Sequence, residues 1–344
     1  MFLIPFILSS LVVAAVMPPC ILLLRRWGVI DRPNTRSSHT LPTVRGGGVS
    51  IVLVLLVSIV VVSGIPFAAR SVLFASILVL AAVSFWDDLK SVGAGLRLLV
   101  QTAGAVASIW FLLTSLPANA PIGVIIGCLL LASFWVVGQT NAFNFMDGIN
   151  GIAGFQAVLT GIGLAGTGVV MGLPTDHPAI ILAMVASGAA AGFLPFNFPR
   201  ARVFMGDVGS ATLGFTLAFL TAWIAIVVSG VGTLLLLALH VGFVMDTSIT
   251  LLRRWLRREK LHLPHRDHFY QRAVRSGWSH SFVTLGAATV QGIITAVAVL
   301  LAKCQVSWVW ALIFLAATVL VWAMMFLICE RRFQAAIAHS RCAA

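Results

Sequence analysis

The sequence predicts an all-α, polytopic membrane protein with about eleven transmembrane helices. Of its 344 residues, 60% are hydrophobic and only 9% are charged, and the mean hydropathy is +1.05, whereas a soluble domain carries about a quarter charged residues. The apolar residues form blocks of about twenty, the length that crosses a roughly 30 Å hydrocarbon core as a helix. This composition excludes a soluble enzyme, a nucleic-acid-binding domain and a disordered chain. The ten-residue alternation of a transmembrane β-barrel is not seen.

The predicted spans follow the apolar blocks. They lie near 2–24, 46–66, 70–86, 98–116, 121–139, 151–171, 179–196, 211–229, 232–252, 282–302 and 307–329. The basic residues of the first span follow it at Arg25 and Arg26, so we interpret this span as a retained anchor and not as a cleaved signal peptide. No long linker or internal repeat divides the chain, and one membrane domain over 1–344 is the simplest organisation.

The basic residues predict the orientation. With the N-terminus outside and the C-terminus cytoplasmic, all of the 22 Lys and Arg except Arg70 and Lys303 fall on the cytoplasmic side, as the positive-inside rule requires. The net charge of +12 is therefore largely a topology signal, with no nucleic-acid partner implied, and it can also hold anionic lipid or phosphate. The predicted cytoplasmic loops are about 25–45, 87–97, 140–150, 197–210 and 253–281.

Four aspartates lie at or just past the predicted inner ends of spans: Asp87, Asp88, Asp147 and Asp207. At the bilayer centre each ionised side chain would cost on the order of 2.5–3.5 kcal/mol. Because all four share one membrane face, their carboxylates can converge there. A transporter more naturally places its acids near the midplane, so the sequence indicates an interfacial site.

The first motif is the adjacent pair Asp87 and Asp88. Neighbouring carboxylates repel unless a cation or a proton relieves them, and Mg²⁺ is a hard ion that takes oxygen ligands and substrate phosphates. A solvated helix end with Lys90 as partner is the equally weighted alternative.

The second motif spans 141–151. Asn141, Asn144, Asp147 and Asn150 are spaced three apart and would share one face of a helix. Amide and carboxylate groups together suit a nucleotide, a sugar or a metal. The alternative is a capped turn before the next span.

The third motif spans 197–210. Arg200 and Arg202 can grip phosphate through their fork geometry. Asp207 lies between two glycines and opens the next helix, where the helix dipole favours an anion. An ordinary helix cap is the alternative for Asp207.

Two further loops carry polar residues. In the first inner loop Arg45 precedes three glycines, which admit a phosphate near the backbone, and a flexible loop is the alternative. In the 253–281 loop the His265-x-x-His268 pair suits hydrogen bonding to sugar or phosphate better than a transition metal. Asp246 lies within the ninth span and needs a partner, either in helix packing or in the site.

In this order the motifs resemble the polyprenyl-phosphate N-acetylhexosamine-1-phosphate transferases, or glycosyltransferase family 4, over Arg25 to about His280. The segments Asn34-Thr-Arg-Ser-Ser-His and His265-Arg-Asp-His-Phe-Tyr look closest to O-antigen initiating transferases of the Pseudomonas type. The consecutive histidines of the lipid I enzyme are absent, which counts against a muramyl-pentapeptide substrate.

The resemblance implies that a UDP-activated N-acetylamino sugar and undecaprenyl phosphate give a lipid-linked sugar diphosphate and UMP with Mg²⁺, Mn²⁺ being the alternative ion. It implies the four aspartates as catalytic residues. A covalent aspartyl-phosphate and direct attack by the lipid phosphate are both open for the family, and we favour direct attack. The resemblance places a metal ligand at Asp207 and Asn144 beside the metal or diphosphate. It places Asp87, with Asp88 as its support, at the lipid phosphate. The remaining implied residues form a uridine pocket (Asn150, Asn197 and Phe204) and a sugar-recognition loop (His265, Arg266 and His268). Arg45 and Arg202 complete the candidate substrate-binding set.

The implied location is the bacterial inner membrane, with the site on the cytoplasmic face and among membrane lipids. The sugar is expected to be GlcNAc or a 6-deoxy N-acetylhexosamine such as FucNAc or QuiNAc, for O-antigen or a related surface polysaccharide. A homodimer is left open. The rival functions are a membrane transporter or lipid flippase and a non-catalytic scaffold.

Overall fold

The computed structural model describes residues 2–33, 41–114, 120–228, 230–260, 263 and 265–342. Part of the resemblance rests on 34–40, which lies outside the described residues. A short antiparallel ribbon pairs β1 (Ile30–Asp31) with β2 (Thr43–Val44). The helices are α1 Ile4–Arg26, α2 Gly48–Val61, α3 Phe67–Leu89, α4 Ala94–Leu113, α5 Ile122–Met146, α6 Ile152–Val170, α7 Pro178–Asn197, α8 Gly206–Val228, α9 Val231–Ala238, α10 Val241–Leu256, α11 Phe269–Arg275, α12 His280–Lys303 and α13 Trp308–Cys342.

The helices confirm the predicted all-α, polytopic membrane protein. Within the described residues, nine are long and apolar enough to cross a membrane, namely α1, α3 to α8, α12 and α13. The bent pair of α9 and α10 can supply one further span. Each of the eleven predicted spans therefore corresponds to a helix or a helix pair, with two differences in form. The single domain over 1–344 stays a prediction.

The ninth predicted span, 232–252, is broken. α9 and α10 meet at Leu239 and His240 and are bent by 68°. The Leu239 carbonyl at the break accepts hydrogen bonds from the side-chain amides of Gln156 (3.0 Å) and Gln291 (2.9 Å). Irregular backbone is tolerated at membrane depth when protein groups satisfy it in this way. The apolar block revealed the length of the span, but the groups that satisfy the backbone at the break are distant in sequence.

The second predicted span, 46–66, is shorter than expected. Its helix, α2, has only 14 residues and ends at Val61. Val62 is extended, Gly64 has a positive φ of 81° and Pro66 precedes α3. Because these residues cannot continue a helix, the apolar block overestimated the helical length.

The core of the bundle consists of α6, α7 and α8. In the apolar stretch of each helix, 67%, 72% and 72% of the residues, respectively, are buried. α1 packs closely on α7 because Gly188 and Gly192 face the α1 backbone. A Cβ at either glycine would collide with the carbonyl oxygen of Phe6 or Ser10. Small residues spaced four apart allow this approach between membrane helices. The outer helices α5 and α13 instead expose large apolar side chains, as lipid-facing helices do.

The loop ends converge at one end of this core. The Gly47 and Gly48 backbone N–H groups donate to the Phe204 and Met205 carbonyls at 2.9 and 2.8 Å. The Phe204 N–H donates in return to the Val44 carbonyl at 2.8 Å. This pairing places the first loop against the start of α8, beside the ends of α3 and α5. The candidate site residues are therefore fixed by the bundle and not by a free loop.

Candidate active site

Asp207 is the centre of a cluster of charged side chains. It lies in the first turn of α8, as predicted, and its carboxylate is 18% exposed. Arg45 Nη2 donates to its Oδ1 at 2.7 Å, and Arg97 Nη1 lies 3.3 Å from its Oδ2. Asn144 Nδ2 approaches the same Oδ2 at 3.4 Å. Three elements distant in sequence therefore meet at one partly open carboxylate.

Asp88 is the buried member of the cluster, with a side chain that is 0% exposed. Its Oδ1 accepts from the Asp207 backbone N–H at 2.8 Å, and its Oδ2 accepts from the Val208 N–H at 3.1 Å. Arg45 Nε forms an ion pair with Oδ1 at 2.7 Å. Asp88 thus caps the start of α8, where a negative charge is favoured. Gly206 permits this approach, since its φ is +75° and a Cβ there would collide with the carboxylate.

Asp87 points to a different partner from its neighbour. Its Oδ2 accepts from Arg97 Nη1 at 2.6 Å, and its Oδ1 accepts from the Val92 backbone N–H at 2.6 Å. The side chain is 11% exposed. Arg97 therefore bridges Asp87 and Asp207, while Arg45 bridges Asp88 and Asp207. The partner suggested for the pair by the sequence, Lys90, is exposed at the C-cap of α3.

Asp147 completes the acidic set from the end of α5. Among the described residues, its carboxylate has no hydrogen-bond or ion-pair partner, although its charge interacts with that of Asp207. Burial, and then the Asp207 charge, raise the pKa of Asp147 to about 7. Four carboxylates and the two guanidiniums of Arg45 and Arg97 leave a formal charge of −2. Such a group attracts a cation.

The second motif is only partly helical, and the predicted single face is wrong beyond residue 146. α5 continues to Met146, so Asn141 and Asn144 lie within a helix that the prediction ended near 139. Asp147 leaves the helical region, with φ −85° and ψ 54°. Likewise, α3 extends to Leu89 and α4 begins at Ala94, so the predicted 87–97 loop is mostly helix ends. The site is formed by helix termini, which hold their side chains more rigidly than loops.

The predicted nucleotide residues lie in a neighbouring turn. Asn197 is buried, receives the Gly151 N–H at 2.6 Å and donates to the Val203 carbonyl at 2.9 Å. Its side chain therefore holds two loops together. Asn150 Nδ2 donates to the Pro199 carbonyl at 3.0 Å. Phe204 is half-buried and lies three residues before Asp207. Its backbone is held by the hydrogen bonds to Val44 and Gly47 described above.

Arg202 is not part of the charged cluster. Its guanidinium lies over the Phe196 ring, 4.8 Å from the ring centroid, and donates to the Pro195 carbonyl at 3.0 Å. The structure therefore brings Arg45 to the aspartates but places Arg202 at the exposed end of α7.

The histidine segment is partly helical, because α11 begins at Phe269. The His265 and His268 rings lie 4.9 Å apart. Burial, and then His268 and Arg254, lower the pKa of His265 to about 4. Arg266 is half-buried, and its carbonyl accepts from Arg275 Nη1 at 3.2 Å. This predicted sugar-recognition segment is therefore anchored to protein groups.

Three polar residues of the site were not predicted. Arg97 was counted only among the basic residues of the cytoplasmic side, although its place ten residues after Asp87 could have marked it as a counter-ion. Ser210 donates to Asn144 Oδ1 at 2.7 Å and turns the Asn144 amide nitrogen towards Asp207. Gln101 accepts from Asn141 Nδ2 at 2.6 Å. Ser210 and Gln101 gave no signal, since single polar residues are common in membrane helices.

The donor set suits a hard cation that shares its coordination with a substrate. Over the described part of the chain, no three His, Cys, Asp or Glu side chains are arranged so that they could hold a metal ion by themselves. Mg²⁺, however, is usually bound by one or two carboxylates together with substrate phosphates and water. Asp207, which is partly exposed, fits that requirement. The Asn144 amide turns its nitrogen and not its oxygen towards Asp207, so it would have to rotate to become a metal ligand.

An apolar groove of about 940 Å³ runs along α5, α8, α9 and α10. Leu131 and Phe134 on its wall are exposed, so the groove reaches the outer surface of the bundle. Asn141 and Phe145 line its other part, one turn or less from Asn144. The groove is large enough for part of a hydrocarbon chain.

Comparison with known proteins assigns the family. The model of Glycosyl transferase family 4 matches residues 70–229. A decaprenyl-phosphate N-acetylglucosaminephosphotransferase of Mycobacterium tuberculosis is 30% identical over 301 residues, which cover 78% of this chain and 74% of that protein. A probable undecaprenyl-phosphate N-acetylglucosaminyl 1-phosphate transferase of Bacillus subtilis is 28% identical over 88% of this chain and 85% of its own length.

A more partial similarity extends to a phospho-N-acetylmuramoyl-pentapeptide-transferase of Streptococcus pyogenes. It is 33% identical over 192 residues, covering 52% of this chain and 54% of that protein. The transferases with broader coverage are those named for N-acetylglucosamine phosphate transfer. The predicted family is confirmed: the chain belongs to glycosyl transferase family 4 and is a multi-pass membrane sugar-phosphate transferase.

Proposed function

We propose that the protein transfers an N-acetylamino-sugar 1-phosphate from a UDP-sugar to undecaprenyl phosphate. An oxygen of the lipid phosphate attacks the phosphorus that carries the sugar. A new P–O bond forms, the bond from this phosphorus to the bridging oxygen breaks, and UMP leaves with that oxygen. The products are undecaprenyl-diphospho-sugar and UMP. The aspartate and arginine cluster around Asp207 is the observation that carries this proposal.

The cluster matches the charges of the reaction. Phosphoryl transfer depends mainly on positioning and on stabilising negative charge. Asp207, with Asn144 beside it, would hold Mg²⁺, which would offset the charge of the diphosphate. Arg45 and Arg97 are about one-third exposed and can exchange their carboxylate partners for phosphate oxygens. We assign Asp87 and Asp88 to the side of the lipid phosphate and favour direct attack over an aspartyl-phosphate intermediate.

The apolar groove supports a lipid acceptor. A polyprenyl chain in the groove between α5 and α10 would place its phosphate at the end of α5, next to Asn144 and Asp147. We favour a transferase over the rival transporter or flippase, because the groove includes Asn141 and Phe145 at the end of α5 that also carries Asn144 of the charged cluster.

The proposed location is the bacterial inner membrane with the site on the cytoplasmic side. UDP-sugars are found on that side of the membrane. The positive-inside rule also places the basic loops, and with them the site, on that side. We propose initiation of O-antigen or a related surface polysaccharide, with GlcNAc or a 6-deoxy N-acetylhexosamine as the sugar. A single hydroxyl distinguishes these donors, and a few hydrogen bonds in the pocket decide between them.

The test is UMP release by purified protein in detergent with undecaprenyl phosphate, Mg²⁺ and a panel of UDP-N-acetylhexosamines. We expect UMP release that depends on both lipid and Mg²⁺ with one donor, which also identifies the sugar. Folded protein that releases no UMP with any donor, but moves labelled substrate across sealed vesicles, would contradict the proposal and support a transporter.

Asp147 predicts a pH dependence of metal binding. Because its pKa is raised to about 7, a cation at Asp207 would favour the ionised form and release a proton. The affinity for Mg²⁺ should therefore rise about tenfold between pH 6 and pH 8 and then level off. Calorimetric titration with Mg²⁺ in two buffers of different ionisation enthalpy measures the released proton. In Asp147→Asn both the proton release and the pH dependence should be clearly smaller than in the unaltered protein, and unchanged values would contradict the assignment.

Narrowing the groove should weaken the lipid acceptor selectively. Ala225 lines the groove from α8, and Ala225→Trp would displace part of a bound hydrocarbon chain. Losing the burial of about two methylenes costs roughly 1.6 kcal/mol, or a rise of about tenfold in KM for undecaprenyl phosphate. The KM for the UDP-sugar should not change. Leu320→Trp, on the lipid-exposed face of α13, is the matched control. Equal effects of both substitutions would argue against this groove.

A further inference from the structure

Asp246 is a buried acid that the proposed reaction does not use. It lies on α10, in the second half of the broken span, and is 0% exposed. A buried carboxylate is costly unless it is fully hydrogen-bonded. Its partners therefore show why the chain tolerates a charge at this position.

Four groups donate to this carboxylate. Oδ1 accepts from His268 Nδ1 at 2.9 Å, from the Phe269 backbone N–H at 3.1 Å and from the Thr250 hydroxyl at 3.2 Å. Oδ2 lies 3.4 Å from the Tyr270 backbone N–H. Asp246 thereby fastens the start of α11 to α10 and holds one edge of the His268 ring.

The neighbouring arginines are engaged elsewhere. Arg254 pairs with Asp267 at 3.2 Å, and Arg272 pairs with Glu330 at 2.8 Å. Within the described residues the imidazole is thus the one ionisable side chain that shares a hydrogen bond with Asp246. Because a carboxylate only accepts hydrogen bonds, His268 must carry a proton on Nδ1. The other ring nitrogen, Nε2, is not engaged by Asp246, and the His268 side chain is 3% exposed.

His268 is also close to the aspartate cluster. Its ring lies 6.1 Å from that of Phe145, the residue after Asn144. Tyr270 fixes this distance, since its hydroxyl donates to the Phe145 carbonyl at 2.9 Å. The tyrosine also fills the space beside Gly148, where a Cβ would collide with its hydroxyl. The segment held by Asp246 is therefore docked on the turn that carries Asp147.

We propose that Asp246 is the positioning residue for His268, fixing its tautomer and ring orientation so that Nε2 meets the diphosphate or sugar of the UDP donor. This inference rests on the proposed function for the identity of the donor. The simpler alternative is that Asp246 only caps α11. If Asp246 is a positioning residue, its effect on donor turnover passes through His268. If Asp246 only caps α11, its effect is independent of His268.

A double-mutant cycle separates them. With the donor that gives the fastest UMP release in the unaltered protein, Asp246→Asn and His268→Asn should each lower kcat/KM for that donor by about 10- to 100-fold, as loss of a ligand-orienting partner does. The double variant should be within about threefold of the worse single variant, because both remove the same interaction. The KM for undecaprenyl phosphate should change less than about twofold. Asp176→Asn, an exposed acid on a distant loop, should keep the full rate.

Three outcomes would contradict the proposal. If the double variant loses the product of the two single losses, or if Asp246→Asn acts only by lowering the thermal midpoint of the protein in detergent, Asp246 is a structural cap and the proposal is wrong. A rise in KM for the lipid of the same size as the effect on the donor would also overturn it.

A second measurement needs no variant of Asp246 and no active donor. In protein labelled with ¹⁵N-histidine, the His268 signals are assigned by their absence in His268→Asn. We expect the proton on Nδ1, and an unprotonated Nδ1 would overturn the inference. If no UDP-sugar is turned over but Nδ1 carries the proton, the proposed function fails while the Asp246–His268 arrangement stands.

Discussion

Asp207→Asn is expected to lower UMP release by at least about 10³-fold, since removing one electrostatic stabiliser from a preorganised site commonly costs 10²- to 10³-fold and this one would also hold the metal. The carboxylate receives Arg45 and lies within reach of Arg97 and Asn144. Asparagine keeps its shape but removes the charge that a cation and both guanidiniums require. The measurement is kcat in detergent at saturating lipid, donor and Mg²⁺.

The control for this prediction is Asp176→Asn, which makes the same chemical change at an exposed position and should retain the full rate. Raising the Mg²⁺ concentration tenfold should not restore Asp207→Asn. Near-normal turnover of a folded Asp207→Asn protein would show that the site has been placed wrongly. The same outcome for Asp87→Asn would remove the proposed role at the lipid phosphate.

Asp88→Ala is expected to destabilise the protein and to inactivate it. The Asp88 side chain is fully buried, caps two backbone N–H groups of α8 and pairs with Arg45. Breaking a buried ion pair by removing one partner typically costs about 3–5 kcal/mol. Here the two N–H groups lose their acceptor, and Arg45 loses one of its two carboxylate partners. The free energy of unfolding should fall by about that amount in a mixed-micelle denaturation experiment.

Asp88→Asn distinguishes the two contributions. The amide oxygen can still cap one α8 N–H, so the loss of stability should be smaller, about 1–3 kcal/mol, while UMP release should fall as strongly as in Asp88→Ala. Lys90→Gln, on an exposed residue two positions away, should change neither quantity. A stable and active Asp88→Ala protein would contradict the buried-cap interpretation.

The stability effect of Asp88 also bears on Asp207. Because Asp88 holds the Asp207 backbone N–H, it fixes the first turn of α8 and thus the direction of the Asp207 carboxylate. The adjacent aspartates therefore have separate tasks: Asp88 supports the helix start, whereas Asp87 pairs with Arg97. The sequence predicted a supporting role for Asp88 only through the family resemblance.

The sequence alone was sufficient to predict the helical bundle, the family and the start of α8, because these depend on local or repeated features. The length and composition of apolar blocks predicted a polytopic helical bundle, because a roughly 30 Å core imposes the same length on every span. The order of the polar motifs identified the family. Asp207 at the opening of α8 was likewise predictable, since Gly206 and the following apolar block mark the start of a helix.

Properties that require contacts between distant elements were decided only by the tertiary structure. Gln156 and Gln291 satisfy the carbonyl at the Leu239 bend. The pairing of Arg97 with two aspartates depends on how α3, α4 and α8 meet. The contact between Asp246 and His268 joins α10 to the start of α11. A linear pattern contains the residues but not their distances. Inside a low-dielectric bundle, a buried polar group is stable only where its partner lies within hydrogen-bonding distance, and the packing of the helices alone determines that distance.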